Sequence, residues 1–390
     1  MRAQVWAAAA LAGVAGIGAT GAEKEGAAKL PRERAAGEPE LVATFDGPMP
    51  TGVTVSHDGR IFVNFPRWGD KVEYTVAEVK DGKTVPYPDA EINTLRPDRP
   101  AECLVSVQSV VVDPANRLWI LDTGSIEFGP TEFGGPKLIG VNLAENRVFR
   151  KILFPRDVAL RTTYLNDVRF DLRRGEGGMA FITDSSDSGP NGIIVVDLES
   201  GKSWRRLHDH PSTKAEKGFL PFVEGRALMK RPPGRKPSHI AIGSDGIAIG
   251  PEGKRLYYCV LAGRRLYSVD VDALADPNRS EEEVAATVQD LGEKGASDGL
   301  ESDAAGGVYV TNYEQNAVLR RAPDGSFETL LKDPRVLWPD TLSLARDGHL
   351  YLTANQLHRQ PPYHNGKDLR EKPYSLFRIK VAADPVLLKK

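Results

Sequence analysis

The chain has 390 residues, with 51 Lys and Arg against 53 Asp and Glu, so its formal net charge at pH 7 is −2. Because no dense basic segment is present to attract a phosphate backbone, no nucleic-acid partner is predicted. The two cysteines and seven histidines are scattered. Their spacing excludes a C-x-x-C redox or zinc motif and an H-E-x-x-H zinc site.

The chain opens with a segment typical of an export signal. A basic start precedes an apolar stretch rich in Ala and Gly, from Ala3 to Ala22, which ends in small residues before the charged Glu23. This pattern predicts a cleaved signal peptide over residues 1–22. A retained membrane anchor is the alternative, which the glycine content disfavours. We therefore expect an extracytoplasmic protein, periplasmic or secreted, with no stable membrane insertion after cleavage.

The rest of the chain divides into three parts by composition. Residues 23–39 are rich in Lys, Glu, Ala and Pro without any hydrophobic pattern, which predicts a disordered lead-in. Residues 40–381 carry regular strand patterns and are long enough for one large all-β domain. Residues 382–390 form a C-terminal tail. We expect the protein to be a monomer.

One short phrase recurs six times along the chain. Each copy has an alternating or β-branched strand, a turn rich in Asp, Gly, Pro or Asn, and a second strand with a large residue, which is a strong hairpin pattern. The copies are TGVTVSHDGRIFVNF from Thr51, SVVVDPANRLWILDTG from Ser109, LNDVRFD from Leu165 with GMAFITDSS from Gly178, SDGIAIGPEGKRLYYCV from Ser244, SDGLESDAAGGVYVTN from Ser297, and PDTLSLARDGHLYLTAN from Pro339.

This repeat predicts an all-β, six-bladed β-propeller. The spacing suits four-stranded blades with variable loops, and a closed ring leaves fewer exposed strand edges than an open sandwich. The run ELVATFDG from Glu40 is placed to pair with SLFRIKV near the C-terminus, closing the ring with the two terminal strands. Helical patterns are nearly absent; the best candidate runs from Ser280 to Val288, with Ser280 as its cap.

Several of these phrases together resemble the Yellow/major royal jelly protein family. The string CLVSVQSVVVDPANRLWILDTG from Cys103 is similar to the family signature, and LNDVRFD, SDGIAIGPEGKRLYYCVLAGRRLYSV, ASDGLESDAAGGVYVTNYEQNAV and WPDTLSLARDGHLYLTANQL follow in the family's order. The resemblance covers about residues 40–381. It implies a six-bladed propeller outside the cytoplasm, with relatives that bind small amines or sterols or, in a few cases, tautomerise dopachrome.

One departure from the family concerns the cysteines. Insect members carry a second Cys in the turn before the R-L-W strand, where this chain has Ala115, so the family disulfide to Cys103 cannot form. Cys103 is then either free and buried or paired with Cys259, and the free state is favoured.

Propeller geometry selects the candidate ligand-binding residues. The innermost strand of each blade lines the central channel, and the residues that open that strand lie at one mouth of it. Polar residues at the ends of the second strands are further candidates, although blade-closing hydrogen bonds to backbone explain them equally well. The predicted ligand-binding residues are Asn166, Asp167, Asp245, Asp298, Asp340, Asn312 and Asn355.

A more distant similarity concerns metal binding. The phrases at Asn166 and Asp298 are similar to those of the gluconolactonase/regucalcin propellers, which bind a divalent ion, and this implies Asn166, Asp245 and Asp298 as ligands of Ca²⁺ or another divalent cation. That family's first-blade Glu is missing, because Thr51 stands near its position. Asp before Gly is also the commonest turn residue in β proteins, and this reading accounts for Asp58, Asp324 and Asp347.

Two classes of function remain open from the sequence. The favoured one is a propeller that binds a small molecule in its channel without transforming it. The alternative is an enzyme, either a dopachrome-type tautomerase or a divalent-metal-dependent lactonase. No G-x-S-x-G elbow or Cys–His arrangement indicates a nucleophilic enzyme, and no catalytic residue is singled out.

Overall fold

The computed structural model describes residues 35–390, which form six four-stranded antiparallel sheets and one small hairpin. The strands in chain order are β1 (Glu40–Phe45), β2 (Val53–Val55), β3 (Ile61–Asn64), β4 (Val76–Lys80), β5 (Lys83–Pro86), β6 (Val107–Val112), β7 (Arg117–Asp122), β8 (Lys137–Asn142), β9 (Arg147–Leu153), β10 (Leu165–Asp171), β11 (Met179–Asp184), β12 (Gly192–Asp197), β13 (Ser203–Arg206), β14 (Phe222–Val223), β15 (Arg226–Ala227), β16 (Ser244–Ile249), β17 (Arg255–Val260), β18 (Arg265–Asp270), β19 (Gln289–Glu293), β20 (Leu300–Ser302), β21 (Val308–Asn312), β22 (Ala317–Arg321), β23 (Phe327–Lys332), β24 (Pro339–Leu344), β25 (His349–Ala354) and β26 (Tyr374–Lys380).

The six sheets form the predicted β-propeller. Blades I to V are β2–β5, β6–β9, β10–β13, β16–β19 and β20–β23, and blade VI has the order β24-β25-β26-β1. The inner strands β2, β6, β10, β16, β20 and β24 contact one another in that cyclic order, with β24 returning to β2. Inner strands are therefore arranged around one channel, as the repeat predicted.

The ring is closed by its two terminal strands, which confirms the predicted pairing. β1 runs antiparallel to β26, from Glu40 opposite Arg378 to Phe45 opposite Tyr374. An ion pair of 2.8 Å between Arg378 Nε and Glu40 Oε2 adds to this pairing at the surface. Blade VI thus contains both ends of the domain, and no blade lacks its fourth strand.

The hairpins explain the aromatic residues at matching strand positions. The matching positions are held by Trp119, Tyr257, Tyr309 and Tyr351, which the repeat predicts as packing between blades. Three of them are buried there, whereas Tyr257 is only half-buried. Each of these three also donates a hydrogen bond to an Asp in its own hairpin turn, so the same repeat supplies a buried ring and an acceptor for its polar atom. These bonds are Trp119 Nε1 to Asp113 Oδ2 at 2.8 Å, Tyr309 Oη to Asp303 Oδ2 at 3.0 Å and Tyr351 Oη to Asp347 Oδ2 at 2.9 Å.

Helices are few and short among the described residues. They are α1 (Ala90–Asn93), α2 (Val271–Ala275) and α3 (Glu281–Ala285), with 3₁₀ turns at Pro100–Glu102, Pro211–Thr213, Leu357–Arg359 and Pro361–Tyr363. The predicted cap at Ser280 is confirmed, since its side chain and that of Glu283 form a capping box. None of the described helices has the length and apolar character needed to cross a bilayer.

The termini of the described chain pack against the ring. Ala36 pairs with Lys332 at the edge of blade V, while Leu388 is buried and accepts a hydrogen bond from the backbone of Leu172. Cys103 and Cys259 are both buried and free, which confirms the favoured reading. The predicted signal peptide over 1–22 and most of the predicted lead-in lie outside the described residues.

Candidate functional site

The inner strands open at one end of the channel, which we call the upper mouth. There a cavity of about 40 Å³ is enclosed by side chains from blades II to VI and from the loops above them. Four predicted site residues from four different strands or strand openings line this cavity together with Gln108. They are Asn166, Asp245, Asp298 and Asp340.

Close packing of neighbouring blades explains why Asp precedes Gly at two of these openings. A Cβ atom at Gly246 would lie 2.2 Å from the backbone oxygen of Asp298, and one at Gly299 would lie 2.3 Å from the backbone oxygen of Asp340. A side chain at either position would clash with the backbone of the next blade. These D-G pairs therefore serve blade packing at the channel, unlike those in the hairpin turns.

The acidic side chains are held by hydrogen bonds from neighbouring residues. Asn166 Nδ2 donates to Asp245 Oδ1 at 2.7 Å, and Trp338 Nε1 donates to Asp298 Oδ2 at 2.7 Å. Asn355 Nδ2 donates to Asp340 Oδ2 at 2.6 Å. Within residues 35–390, no Lys, Arg or His nitrogen lies within 4.0 Å of the carboxylates of Asp245, Asp298 or Asp340.

Burial changes the protonation of this group, although the charge of the buried Lys294 opposes the rise in pKa at Asp298. Burial and the negative charge of Asp298 raise the pKa of Asp245 well above its usual range. The same two causes raise the pKa of Asp340. Burial raises the pKa of Asp298 to about 6, although the hydrogen bond from Trp338 opposes that rise. At neutral pH Asp298 is therefore mainly ionised, and it lies beside two acids whose pKa values are raised well above the usual range.

Asp167 lies below this cavity and helps to close the channel. Its carboxylate accepts hydrogen bonds from Ser109 Oγ at 2.8 Å and from Arg169 Nη1 at 2.9 Å. Arg169 is buried in the channel, donates from Nη2 to the backbone oxygen of Leu300 at 2.7 Å, and lies 3.8 Å from Glu301 Oε2. The pairing with Arg169 neutralises Asp167, so its carboxylate is engaged within the protein.

The two predicted asparagines differ in position. Asn355 is buried behind Asp340, and its Oδ1 accepts a hydrogen bond from the backbone of Leu357, so it orients Asp340 and lies away from the cavity lining. Asn312 is also buried, next to Gly295, and its Oδ1 has no hydrogen-bond partner among the described residues. The structure does not bring Asn312 to the cavity.

Aromatic side chains from three loops cover the upper mouth. Phe128 stacks on Trp68 with ring centroids 5.1 Å apart and on Tyr164 at 4.5 Å. Trp68 Nε1 donates to Tyr164 Oη at 2.8 Å, and Tyr164 Oη donates to Gln108 Oε1 at 3.0 Å. Phe128 is 40% exposed and has a φ of 59°, an uncommon conformation for a bulky residue. We call Trp68, Phe128 and Tyr164 the aromatic lid.

Sequence reasoning missed the residues that hold and cover the acidic group. Trp338 stacks between Tyr313 at 4.0 Å and His358 at 5.8 Å, and this stacking fixes the indole that bonds Asp298. The loops that carry the lid have no repeat pattern to predict their position. A signal for Arg169 existed, because LNDVRFD places a charged residue inside a strand whose seven residues are all buried.

The predicted metal ligands do not fit a divalent cation in this arrangement. No three or more His, Cys, Asp or Glu side chains are grouped to hold a metal ion in the part of the chain that the structure describes. Asn166 and Asp245 bond each other, and Asp298 bonds Trp338. Thr51, at the first-blade position, is buried and donates to the backbone oxygen of Gln108, so it adds no carboxylate.

Comparison with known proteins identifies the family. Residues 105–382 match the family described as "Major royal jelly protein", which is more than half of the chain. The chain belongs to the major royal jelly protein family. Protein yellow of Drosophila melanogaster is 27% identical over 296 residues, which cover 69% of this chain and 50% of that protein. Protein yellow of Drosophila pseudoobscura pseudoobscura is 28% identical over 257 residues, or 60% and 42%. This family member thus spans about half the length of the curated relatives it matches.

Solved structures of the same fold come from other families. A regucalcin from Agrobacterium tumefaciens, described as a calcium-binding protein, superposes with a TM-score of 0.55 at 14% identity, covering 90% of this chain and 98% of that one. A luciferin-regenerating enzyme gives 0.52 at 12% identity, with 90% and 100% covered. At these identities the likeness establishes the propeller fold alone.

Proposed function

We propose that this royal jelly family member is a binding propeller that holds a small cationic amine with an aromatic body at its upper mouth. The carrying observation is the ionised Asp298, which has no cationic partner within 4.0 Å among the described residues and lies in a cavity lined by aromatic rings. The buried Lys294 acts on Asp298 only from beyond ion-pair distance. An ammonium group in the cavity would supply a direct cationic partner, and the rings of Trp68 and Tyr164 would contact the body of the ligand.

The cavity is too small for such a ligand unless a side chain of the aromatic lid moves. A volume of about 40 Å³ holds no more than a few water molecules. Phe128 is the exposed member of the aromatic lid, so moving its ring frees the faces of Trp68 and Tyr164. An aromatic ligand could then stack where Phe128 stacks now, with its ammonium group directed to Asp298.

Binding is tested with a matched pair of probes, tyramine and its amine-free analogue 4-ethylphenol. A ligand that binds only the native state raises the melting temperature, so tyramine should stabilise the protein and 4-ethylphenol should not. Asp298→Asn should abolish the stabilisation, whereas Asp324→Asn, in an exposed hairpin turn, should leave it unchanged. Equal stabilisation by both probes, or by tyramine in the Asp298→Asn variant, would contradict the proposal.

A second candidate is a dopachrome-type tautomerase, which one observation favours. Burial and the charge of Asp298 raise the pKa of Asp245 well above its usual range, while burial raises the pKa of Asp298 to about 6. Two acids whose pKa values are pushed apart can serve as proton donor and proton acceptor for one substrate. Faster loss of dopachrome colour with the wild-type protein than with Asp245→Asn or Asp298→Asn would support this activity; equal rates would exclude it.

A metal-dependent lactonase is the remaining alternative, and the same melting assay tests it. Regucalcin is described as calcium-binding, but its likeness to this chain is one of fold. A rise in melting temperature with Ca²⁺, Mn²⁺ or Zn²⁺ that is lost in Asp298→Ala would favour the lactonase over the amine-binding protein.

We also propose that the protein is exported and acts outside the cytoplasm as a monomer. The apolar segment over residues 1–22 supports export. N-terminal sequencing of the protein recovered from the periplasm or medium, with its mass in solution, tests both points; retention in the cytoplasm or a larger mass would refute them.

A further inference from the structure

A second, larger cavity lies beside the upper mouth. It is a cleft of about 1100 Å³ between the β14–β15 hairpin, the segment that follows it, and the loop between β25 and β26. Two backbone hydrogen bonds join these loops, from Arg231 N to Pro362 O at 2.7 Å and from Asn365 N to Arg231 O at 3.0 Å. Tyr363 lines both this cleft and the small cavity above the acidic cluster.

The carboxylates that line the cleft are already paired. Glu224 Oε1 lies 2.6 Å from Arg359 Nη2, and Glu371 Oε2 lies 4.0 Å from Arg359 Nη1. Asp368 Oδ2 lies 2.7 Å from Arg370 Nη2. Arg370 also lies 2.8 Å from Asp70 Oδ1, so two arginines face four carboxylates. The acidic side of the cleft therefore keeps a formal charge of about −2, which is smaller than the charge of three further cations.

Three cations on the cleft wall have no such partner. Arg226 comes from the hairpin, Arg231 from the segment after it and Lys367 from the β25–β26 loop, and all three line the cleft. No side chain among residues 35–390 forms an ion pair with them. Like charges from three separate loops repel one another, so their convergence on one concave surface indicates that it receives an anion.

The floor of the cleft is apolar and also contains a buried histidine. Val223, Leu228 and Tyr363 are buried apolar or aromatic residues that line it. His358, which is 3% exposed, also lines the cleft, and its Nδ1 has no hydrogen-bond partner among the described residues, while Nε2 bonds Glu224 at 2.8 Å. Burial lowers the pKa of His358 to about 4, and its Nε2–H is donated to Glu224, so Nδ1 is an acceptor. It calls for a donor, such as a water or an O–H or N–H on the body of a ligand, and does not itself bind an anion.

From these contacts we propose that the cleft is a binding site for an organic oxyanion, a phosphate or carboxylate carried on an apolar body. Guanidinium groups such as those of Arg226 and Arg231 bind planar or tetrahedral oxyanions through two parallel hydrogen bonds, and Lys367 adds a point charge. The apolar floor contacts the body of the ligand. This site is separate from the amine site, since its ligand has the opposite charge and its cationic residues do not line the amine cavity, although Tyr363 lines both.

The test uses phenyl phosphate, benzoate and inorganic phosphate as probes in isothermal titration. Phenyl phosphate should bind more tightly than inorganic phosphate, because only the former also contacts the apolar floor, and benzoate should show whether a carboxylate suffices. Affinity should fall as salt concentration rises, since exposed charges are screened. The full-length protein is used, with its melting temperature recorded to confirm that each variant folds.

Two variants in the cleft and two outside it decide the outcome. Arg231→Gln and Lys367→Gln should each weaken phenyl phosphate binding about tenfold, as expected for the loss of one charge-assisted contact. Arg235→Gln, an exposed neighbour in the same segment that does not line the cleft, should leave it unchanged. Asp298→Asn should also leave it unchanged, which separates failure here from failure of the amine site. No measurable binding of any probe, or equal affinity in all variants, would overturn the proposal.

Discussion

Asp298 is the residue whose charge the amine site requires, and its titration gives a prediction at the scale of one side chain. Its pKa is raised by burial to about 6 in the folded protein, against 3.8 for an ordinary Asp. Between these values the folded state holds a proton that the unfolded state has lost, so this residue makes stability fall as pH rises from about 4 to 6 and has no further effect above 6.

The Asp298→Asn variant has no proton to lose, so the difference in melting temperature, variant minus wild type, should increase between about pH 4 and pH 6 and then stay constant. The rise in the pKa of Asp298 from 3.8 to about 6 corresponds to a change of about 3 kcal/mol in the free energy of unfolding. Asp324→Asn is the control. Hydrogen bonds with Ser326 lower the pKa of Asp324, so the difference in melting temperature between this variant and the wild type should not increase with pH. A pH-independent difference for Asp298→Asn would contradict the pKa and the amine site that depends on it.

At this scale, the sequence predicted where the acids converge but not how each is held. Asp245 and Asp298 occupy equivalent positions of two repeats, and equivalent positions in a ring must face the same axis. Their partners are outside the repeat: Trp338 reaches Asp298 from the segment before blade VI. Asn312, at an equivalent point of its own repeat to Asn355, lies away from the cavity, since a repeat fixes the backbone position and leaves the side-chain contacts to local sequence.

Among the elements, β1 has the most specific role, because it is the strand that completes blade VI. Ala43 and Phe45 are buried in a cluster with residues of blades I and VI. A variant lacking residues 1–45 would lose this packing and expose the edge of β26. We expect its melting temperature to fall by about 10 °C, given about 3–5 kcal/mol for a buried Phe, and its tendency to aggregate to increase.

A variant lacking residues 1–38 is the matched control for this deletion. It keeps all of β1 and, among the described contacts, loses the pairing of Ala36 with Lys332 at the edge of blade V, so its melting temperature should stay close to that of the wild-type protein. Thermal unfolding and size-exclusion chromatography of both variants measure the effect. Equal melting temperatures for the two would show that β1 does not hold the ring closed.

The strands could be predicted more fully than the loops because of their different physical origins. Alternation and turn residues encode each hairpin locally, and the capping box of α3 is equally local. The β14–β15 hairpin and the aromatic lid lie in long connections whose conformation depends on contacts with distant segments, such as Glu224 with His358 and Arg359. Both proposed ligand sites are built largely from these connections, which is why their walls were not predicted.

For the whole molecule, closure by strands from both ends predicts that the ring unfolds as one unit. Each blade packs on two neighbours, and the first and last segments share blade VI, so opening one blade removes packing from the rest. The two free cysteines report on this property, because Cys103 precedes blade II, Cys259 lies in β17 of blade IV, and both are fully buried. A buried thiol reacts with a maleimide only when its surroundings open.

The last prediction therefore concerns the order in which these thiols are labelled. If the ring opens cooperatively, Cys103 and Cys259 should be modified in parallel as urea increases, with the same midpoint as the loss of tertiary structure, and neither should react in native buffer. Mass spectrometry of the labelled peptides follows each thiol separately. Labelling of Cys103 well before Cys259 would show that the region before blade II opens on its own; in that case closure through blade VI does not couple the two halves of the ring.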